Sequence, residues 1–184
     1  MENIEVIDYS GESTGEVKTR KAIHKDGDWH RTVHVWILNA NCQLLLQRRH
    51  PGKHSHPDTW DISSAGHITA GDGSLNTAIK EVKEELGIEL REDELEYLFT
   101  VKQTDVMSHG FVDNEFNDVY LVEKDIKLSK VRCQKEEVTA VKYSDFFELE
   151  NYINNHDPEY VPHDGEYQLL FELLHNRYDE KLKS

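Results

Sequence analysis

The spacing of apolar residues between Leu75 and Leu86 sets the plan of this chain. Leu75, Ile79, Val82 and Leu86 recur at about 100° per residue, the stripe a helix buries. Ser74 stands where an N-cap would lie, Gly87 fits the C′ position, and no proline interrupts the run. Elsewhere the pattern is that of strands. Ile4–Tyr9 alternates weakly, a Gly-containing turn follows, and Val17–Ile23 reads as a second strand, so an N-terminal hairpin is expected over about 1–30. His24 and His30 then bracket a loop with a turn signal at Asp26-Gly27. Thr32–Leu38 and Gln43–Gln47 flank the short turn Asn39-Ala40-Asn41 and form the clearest hairpin. The Pro-, Gly- and His-rich segment 50–64 is predicted to be irregular and to lie at the site. Further strands are expected at Glu96–Gln103, Phe116–Val122 and Val138–Tyr143, with a loop at His109-Gly110. Ser144 would cap one C-terminal helix and Tyr167–Tyr178 would form another, placing the C-terminal helices at about 144–182. Mixed strands with one internal helix and helices at the end predict an α/β fold, an α/β/α sandwich around a mixed sheet, with 1–184 as a single domain.

Charge narrows the partners. The 184 residues include 36 acidic and 21 basic ones, a net charge of −15, which argues against nucleic-acid polymers and anionic membranes because both require a basic field. The chain opens with no basic–apolar run and holds no apolar stretch near the roughly 20 residues of a membrane span. Cys42 and Cys133 are too few for a disulfide framework or a zinc pattern, and reduced thiols suit a cytoplasmic protein. Glu81, Glu84 and Glu85 fall together on the side of the helix away from its apolar stripe. Three carboxylates that close call for a positive partner, and Mg²⁺ (or Mn²⁺) is a hard cation that takes oxygen ligands and shares them with a diphosphate. A solvated acidic face softened by Lys80 and Lys83 is the competing reading; the glycine loop upstream at fixed spacing weighs against it.

Residues 66–88, GHITAGDGSLNTAIKEVKEELGI, resemble the Nudix box, G-x5-E-x7-R-E-U-x-E-E-x-G-U with U aliphatic. Gly66, Glu81, Val82, Glu84, Glu85, Gly87 and Ile88 fall in register. Asp72 replaces a glutamate and Lys80 an arginine, so a shorter Asp72–Lys80 pair is expected in place of the family's structural one. Beyond the box, HRTVHVWILNANCQLLLQRR, WDISSAGH and DNEFNDVYLV are similar to the isopentenyl-diphosphate isomerase-like branch. That resemblance implies a second metal site at His24, His30, His67, Asp113 and Glu115. The spacing of His24 and His30 is one residue shorter than in that branch, and Asp113 stands for a glutamate. The branch's isomerase needs a cysteine directly before the Gly-His pair, where this chain has Ala65. A methyl group carries no proton, so isomerisation by that route is disfavoured.

The resemblance therefore implies a Mg²⁺-dependent hydrolase of a nucleoside diphosphate derivative or similar organic diphosphate. Glu81, Glu84, Glu85 and the Gly66 carbonyl would hold metal; Glu81, Glu84 and Glu115 are the catalytic candidates; Arg48 and Arg49 would clamp substrate phosphate. The alternatives are an isomerase-like enzyme and a catalytically silent binding protein. The expected partner is a small molecule, and the chain itself is expected to be a monomer or a homodimer.

Overall fold

Ten residues, Trp29–Leu38, form the strand on which the rest of the structure is assembled. The computed structural model describes residues 2–107 and 110–182, so the His109 half of the expected loop lies outside the described residues. In chain order the elements are β1 (Asn3–Ile7), β2 (Ser13–Thr19), α1 (Arg20–Asp26), β3 (Trp29–Leu38), β4 (Gln43–Arg49), β5 (Trp60–Asp61) and β6 (Ser64–His67). They continue as α2 (Ser74–Leu86), β7 (Glu96–Val106), β8 (Val112–Glu123), β9 (Val138–Asp145), α3 (Phe146–Asn154) and α4 (Asp164–Leu182). β3 runs parallel to β8 along its whole length and antiparallel to β6, with Val33 opposite Gly66 and His34 opposite Ala65. β4 joins β9, β7 extends the sheet beyond β8, and β1 pairs with both β2 and β3, so the N-terminal hairpin shares the same mixed sheet.

Alternation along β3 sorts its side chains into two layers. Val33, Val35 and Ile37 pack with Ala78, Val82 and Leu86 of α2. Trp36 and Leu38 face the other way and pack with Phe146 and Leu149 of α3 and Tyr167, Leu170, Phe171 and Leu174 of α4. Each fully buried Val or Leu contributes about 1.5–3 kcal/mol. The result is the α/β/α sandwich around a mixed sheet that the apolar pattern predicts.

Local chemistry corrects several boundaries. Val17–Ile23 is not one strand: the chain turns into α1 at Thr19, whose hydroxyl accepts the Ala22 N–H at 3.3 Å, and α1 closes at Gly27, φ 72°. His24 is therefore helical, and His30 lies inside β3 rather than at the edge of a loop. Gly73 caps α2 in place of Ser74, whose hydroxyl instead accepts the Tyr120 O–H at 2.9 Å. Asp145, not Ser144, caps α3, accepting the amide of Phe147 at 3.0 Å. Gly87 does end α2, at φ 66°, where a side chain would also meet Arg132 at 2.8 Å.

Candidate active site

The glycine–helix segment brings two of its glutamates inward. Thr77, Ala78, Glu85 and Leu86 are all buried, so the inner face of α2 is partly polar. Glu85 accepts the Ser64 hydroxyl at 2.6 Å, with the Ala65 amide at 3.3 Å and Gln47 Nε2 at 3.4 Å on the same oxygen. Burial raises its pKa against the pull of those donors. Glu81 is half-buried, and burial followed by the charge of Glu85 raises it to about 7. Its carboxyl lies over Gly66: a Cβ there would fall 2.3 Å from Glu81 Cδ and 2.6 Å from Oε2. Glu84 remains exposed. All three line one cavity of about 550 Å³, yet among the described residues their oxygens do not gather as closely as 4.8 Å. The expected outward-facing trio is thus divided between two buried or half-buried members and one exposed member.

The histidines do converge. His24 from α1, His30 from β3, His67 from β6, and Asp113 and Glu115 from β8 each offer a ligand atom, all within 4.8 Å of one another. Backbone carbonyls fix two of the rings: His24 Nδ1 donates to Arg20 O at 2.6 Å and His30 Nδ1 to Asp28 O at 3.1 Å. Their Nε2 lone pairs are therefore left to face the other acceptors. His24 Nε2 lies 3.2 Å from His67 Nε2 and 3.1 Å from Asp113 Oδ1, and His30 Nε2 lies 3.6 Å from Glu115 Oε1. Among the described residues, the buried His30 Nε2 and Asp113 Oδ1 have no hydrogen-bond partner. Burial, then Arg20 and the neighbouring imidazoles, holds the His67 pKa well below the usual value, which favours the neutral, ligating ring. Acceptors facing acceptors in this way fit a divalent cation. The turn of helix at α1 places His24 and His30 together across their shorter spacing.

Arg48 does not line the cavity; it pairs with Asp58 at 2.7 Å and lies over the Trp60 ring. Arg49 lines it, but its guanidinium is mostly committed to Asp61 (2.8 Å), to the Ser55 and His56 carbonyls and to the Ser55 hydroxyl. The expected two-arginine clamp is thus used to anchor the 50s loop. Arg20, Lys53 and Lys80 line the cavity in its stead. No ion pair joins Asp72 to Lys80 among the described residues; Asp72 borders a different cavity. Ala65 faces the main cavity, while neither Cys42 nor Cys133 lines it.

A buried polar group in the wall of the same cavity has no spacing signature in the sequence. Asp61, 2% exposed, accepts from Arg49 and from His163 Nε2 at 2.8 Å, and His34 meets Glu166 at 2.6 Å. Arg49→Ala would leave Asp61 in the interior with only His163 and the Ile62 amide as partners. We expect it to destabilise the protein by about 3 kcal/mol in urea unfolding. An unchanged midpoint would show that His163 and the Ile62 amide suffice to support that charge.

The NUDIX domain model matches residues 28–167. Nudix hydrolase 3 of Arabidopsis thaliana is 50% identical over an alignment of 182 residues that covers 96% of this chain, and the chain spans 24% of that protein's length. An uncharacterized Nudix hydrolase of Clostridium acetobutylicum is 33% identical, covering 75% of this chain and 68% of its own. The isopentenyl-diphosphate Delta-isomerase of Pectobacterium atrosepticum is 26% identical, covering 81% of this chain and 79% of its own. Among solved structures, DR0079 from Deinococcus radiodurans aligns with TM-score 0.63 at 20% identity, covering 84% of this chain and 90% of that one. The NUDIX domain of Shewanella oneidensis NrtR, complexed with ADP ribose, aligns with TM-score 0.58 at 17% identity, covering 78% and 87%.

Proposed function

The chain belongs to the Nudix family, and on that premise we propose that it is a divalent-metal-dependent hydrolase cleaving a diphosphate bond in a nucleoside diphosphate derivative or similar organic diphosphate. One observation carries the reading: a single cavity holds Glu81, Glu84 and Glu85 together with Arg20, Lys53 and Lys80. A metal-bound diphosphate calls for both signs, carboxylates for the cation and cations for the terminal oxygens. Glu81, Glu84, Glu85 and the Gly66 carbonyl are the ligands we assign to Mg²⁺ or Mn²⁺, and the His24–His30–His67–Asp113–Glu115 cluster is a second site. Such an ion, when bound, neutralises phosphoryl charge and acidifies water.

The chain's own groups do the rest. Arg20 and Lys53 orient the phosphates for in-line attack. Of the candidates Glu81, Glu84 and Glu115, we take Glu81 as the general base, because Gly66 lets its carboxyl approach the strand. We take residues 1–184 as one unit, because the N-terminal hairpin pairs into the same sheet.

The ADP ribose held by the NrtR domain makes that compound the first to offer. With Mg²⁺ or Mn²⁺ the protein is expected to release AMP and a sugar phosphate, seen by ³¹P NMR, and excess chelator is expected to stop turnover. Undiminished rates in chelator would overturn the metal dependence. The isomerase reading draws on the five-residue cluster and the isomerase-named relative. Ala65 opposes it. Deuterium from solvent appearing in dimethylallyl diphosphate at a catalytic rate would reverse the choice.

A further inference from the structure

His34 lies mid-strand on the row of β3 that carries Thr32 into the cavity, His30 into the five-residue cluster and Trp36 into the core. It is 4% exposed, and its Nδ1 lies 2.6 Å from Glu166 Oε2. Glu166, on α4, is 1% exposed, and its other oxygen accepts the Trp36 indole N–H at 2.7 Å. Both oxygens are committed, so the carboxylate is held in place and the imidazole ring with it. The remaining nitrogen, His34 Nε2, has no protein partner among the described residues and belongs to a residue lining the cavity. Across the β3–β6 register stands Ala65, a small side chain that lines the same cavity. His163 sits edge-on to His34, centroids 5.1 Å apart, with its own nitrogens taken by Asp61 (2.8 Å) and Gln103 (3.1 Å).

We propose that His34 Nε2–H binds a phosphate oxygen of the substrate, and that Glu166, braced by Trp36, is the positioning residue that presents it. The assignment rests on the diphosphate reading above and adds to it a contact that belongs to neither the glycine–helix segment nor the five-residue cluster. Although burial opposes the charge, Glu166 raises the His34 pKa to about 9, so the ring enters the cavity as a cation. A buried N–H of that kind, fixed before the ligand arrives, makes a charge-assisted bond with little further ordering.

The test is calorimetric titration of the full chain with methylenediphosphonate, a non-hydrolysable diphosphate, in the presence of Mg²⁺. His34→Ala is expected to weaken binding about ten- to a hundredfold, the loss of one charge-assisted hydrogen bond. His34→Gln, which keeps an N–H without the charge, should lose less, and Glu166→Gln should fall between wild type and His34→Ala. Mg²⁺ affinity measured without the diphosphonate should stay within about twofold of wild type. In ¹⁵N-histidine-labelled wild-type protein, the His34 Nε2 resonance should move on saturation, a readout that settles the matter even if His34→Ala does not fold. Equal affinities of folded wild type and His34→Ala, or an unmoved Nε2 resonance at saturation, would overturn this inference alone. Failure of the wild-type protein to bind the diphosphonate at all would overturn it together with the diphosphate reading.

Discussion

Metal-free protein carrying Glu81→Gln is expected to melt above the wild type at pH 8 and, with metal restored, to turn over about a thousandfold more slowly. The stability gain follows from linkage. In the unfolded chain Glu81 loses its proton near 4.5, and in the folded chain only near 7. Between those values the folded state binds more protons than the unfolded state, so raising the pH through that window costs stability, and the full cost is present above it. Glutamine has no charge to bury. Allowing for partial solvation, the gain should be about 1–3 kcal/mol at pH 8 and should vanish at pH 4. Thermal melts at the two pH values decide it: an equal gain at both would point to packing, not charge. Turnover within tenfold of wild type would remove Glu81 from the role of base.

Gly66→Ala is expected to be nearly as damaging to turnover, by about a hundredfold or more, although it adds only one methyl. That methyl would sit 2.3 Å from Glu81 Cδ and 2.5 Å from Cγ, so either β6 leaves β3 or Glu81 leaves its place. Overpacking of this kind costs about 1–3 kcal/mol. A double-mutant cycle isolates the cause. In a Glu81→Ala background the same methyl should cost little stability, because nothing remains for it to strike. Additive losses would mean that Gly66 is required by the strand itself.

The helix of the glycine segment and the long strands were readable because each is a local periodicity closed by local caps or turns. α1 was not. Its signals, Thr19 and Gly27, are present, but Arg20–Ile23 continues the pattern of the exposed strand before it, and His24–Asp26 carries a turn signal. The five-residue cluster was reached through family resemblance, which carries tertiary information that spacing alone does not. The outward trio Glu81, Glu84 and Glu85 was misjudged for a physical reason: helical spacing gives angles around an axis, and it was the docking of α2 on β6 that turned Glu85 inward. The anchoring role of Arg49 is not legible in the sequence, because the carbonyls it serves lie in a loop without a pattern. His34, Asp61, His163 and Glu166 were illegible, since they meet only when α4 packs beneath β3.

The parity of β3 has an evolutionary corollary. Even positions 32 and 34 line the polar cavity, position 30 joins the histidine cluster beside it and position 36 supplies the indole that braces it, whereas odd positions 33, 35 and 37 supply the apolar contact with α2. Inserting or deleting one residue in that strand would exchange the two sets, setting valines at the site and histidines against a hydrophobic helix. This stretch can therefore vary by substitution but hardly by length, and lineages carrying this cavity should confine their gaps to the loops on either side of it.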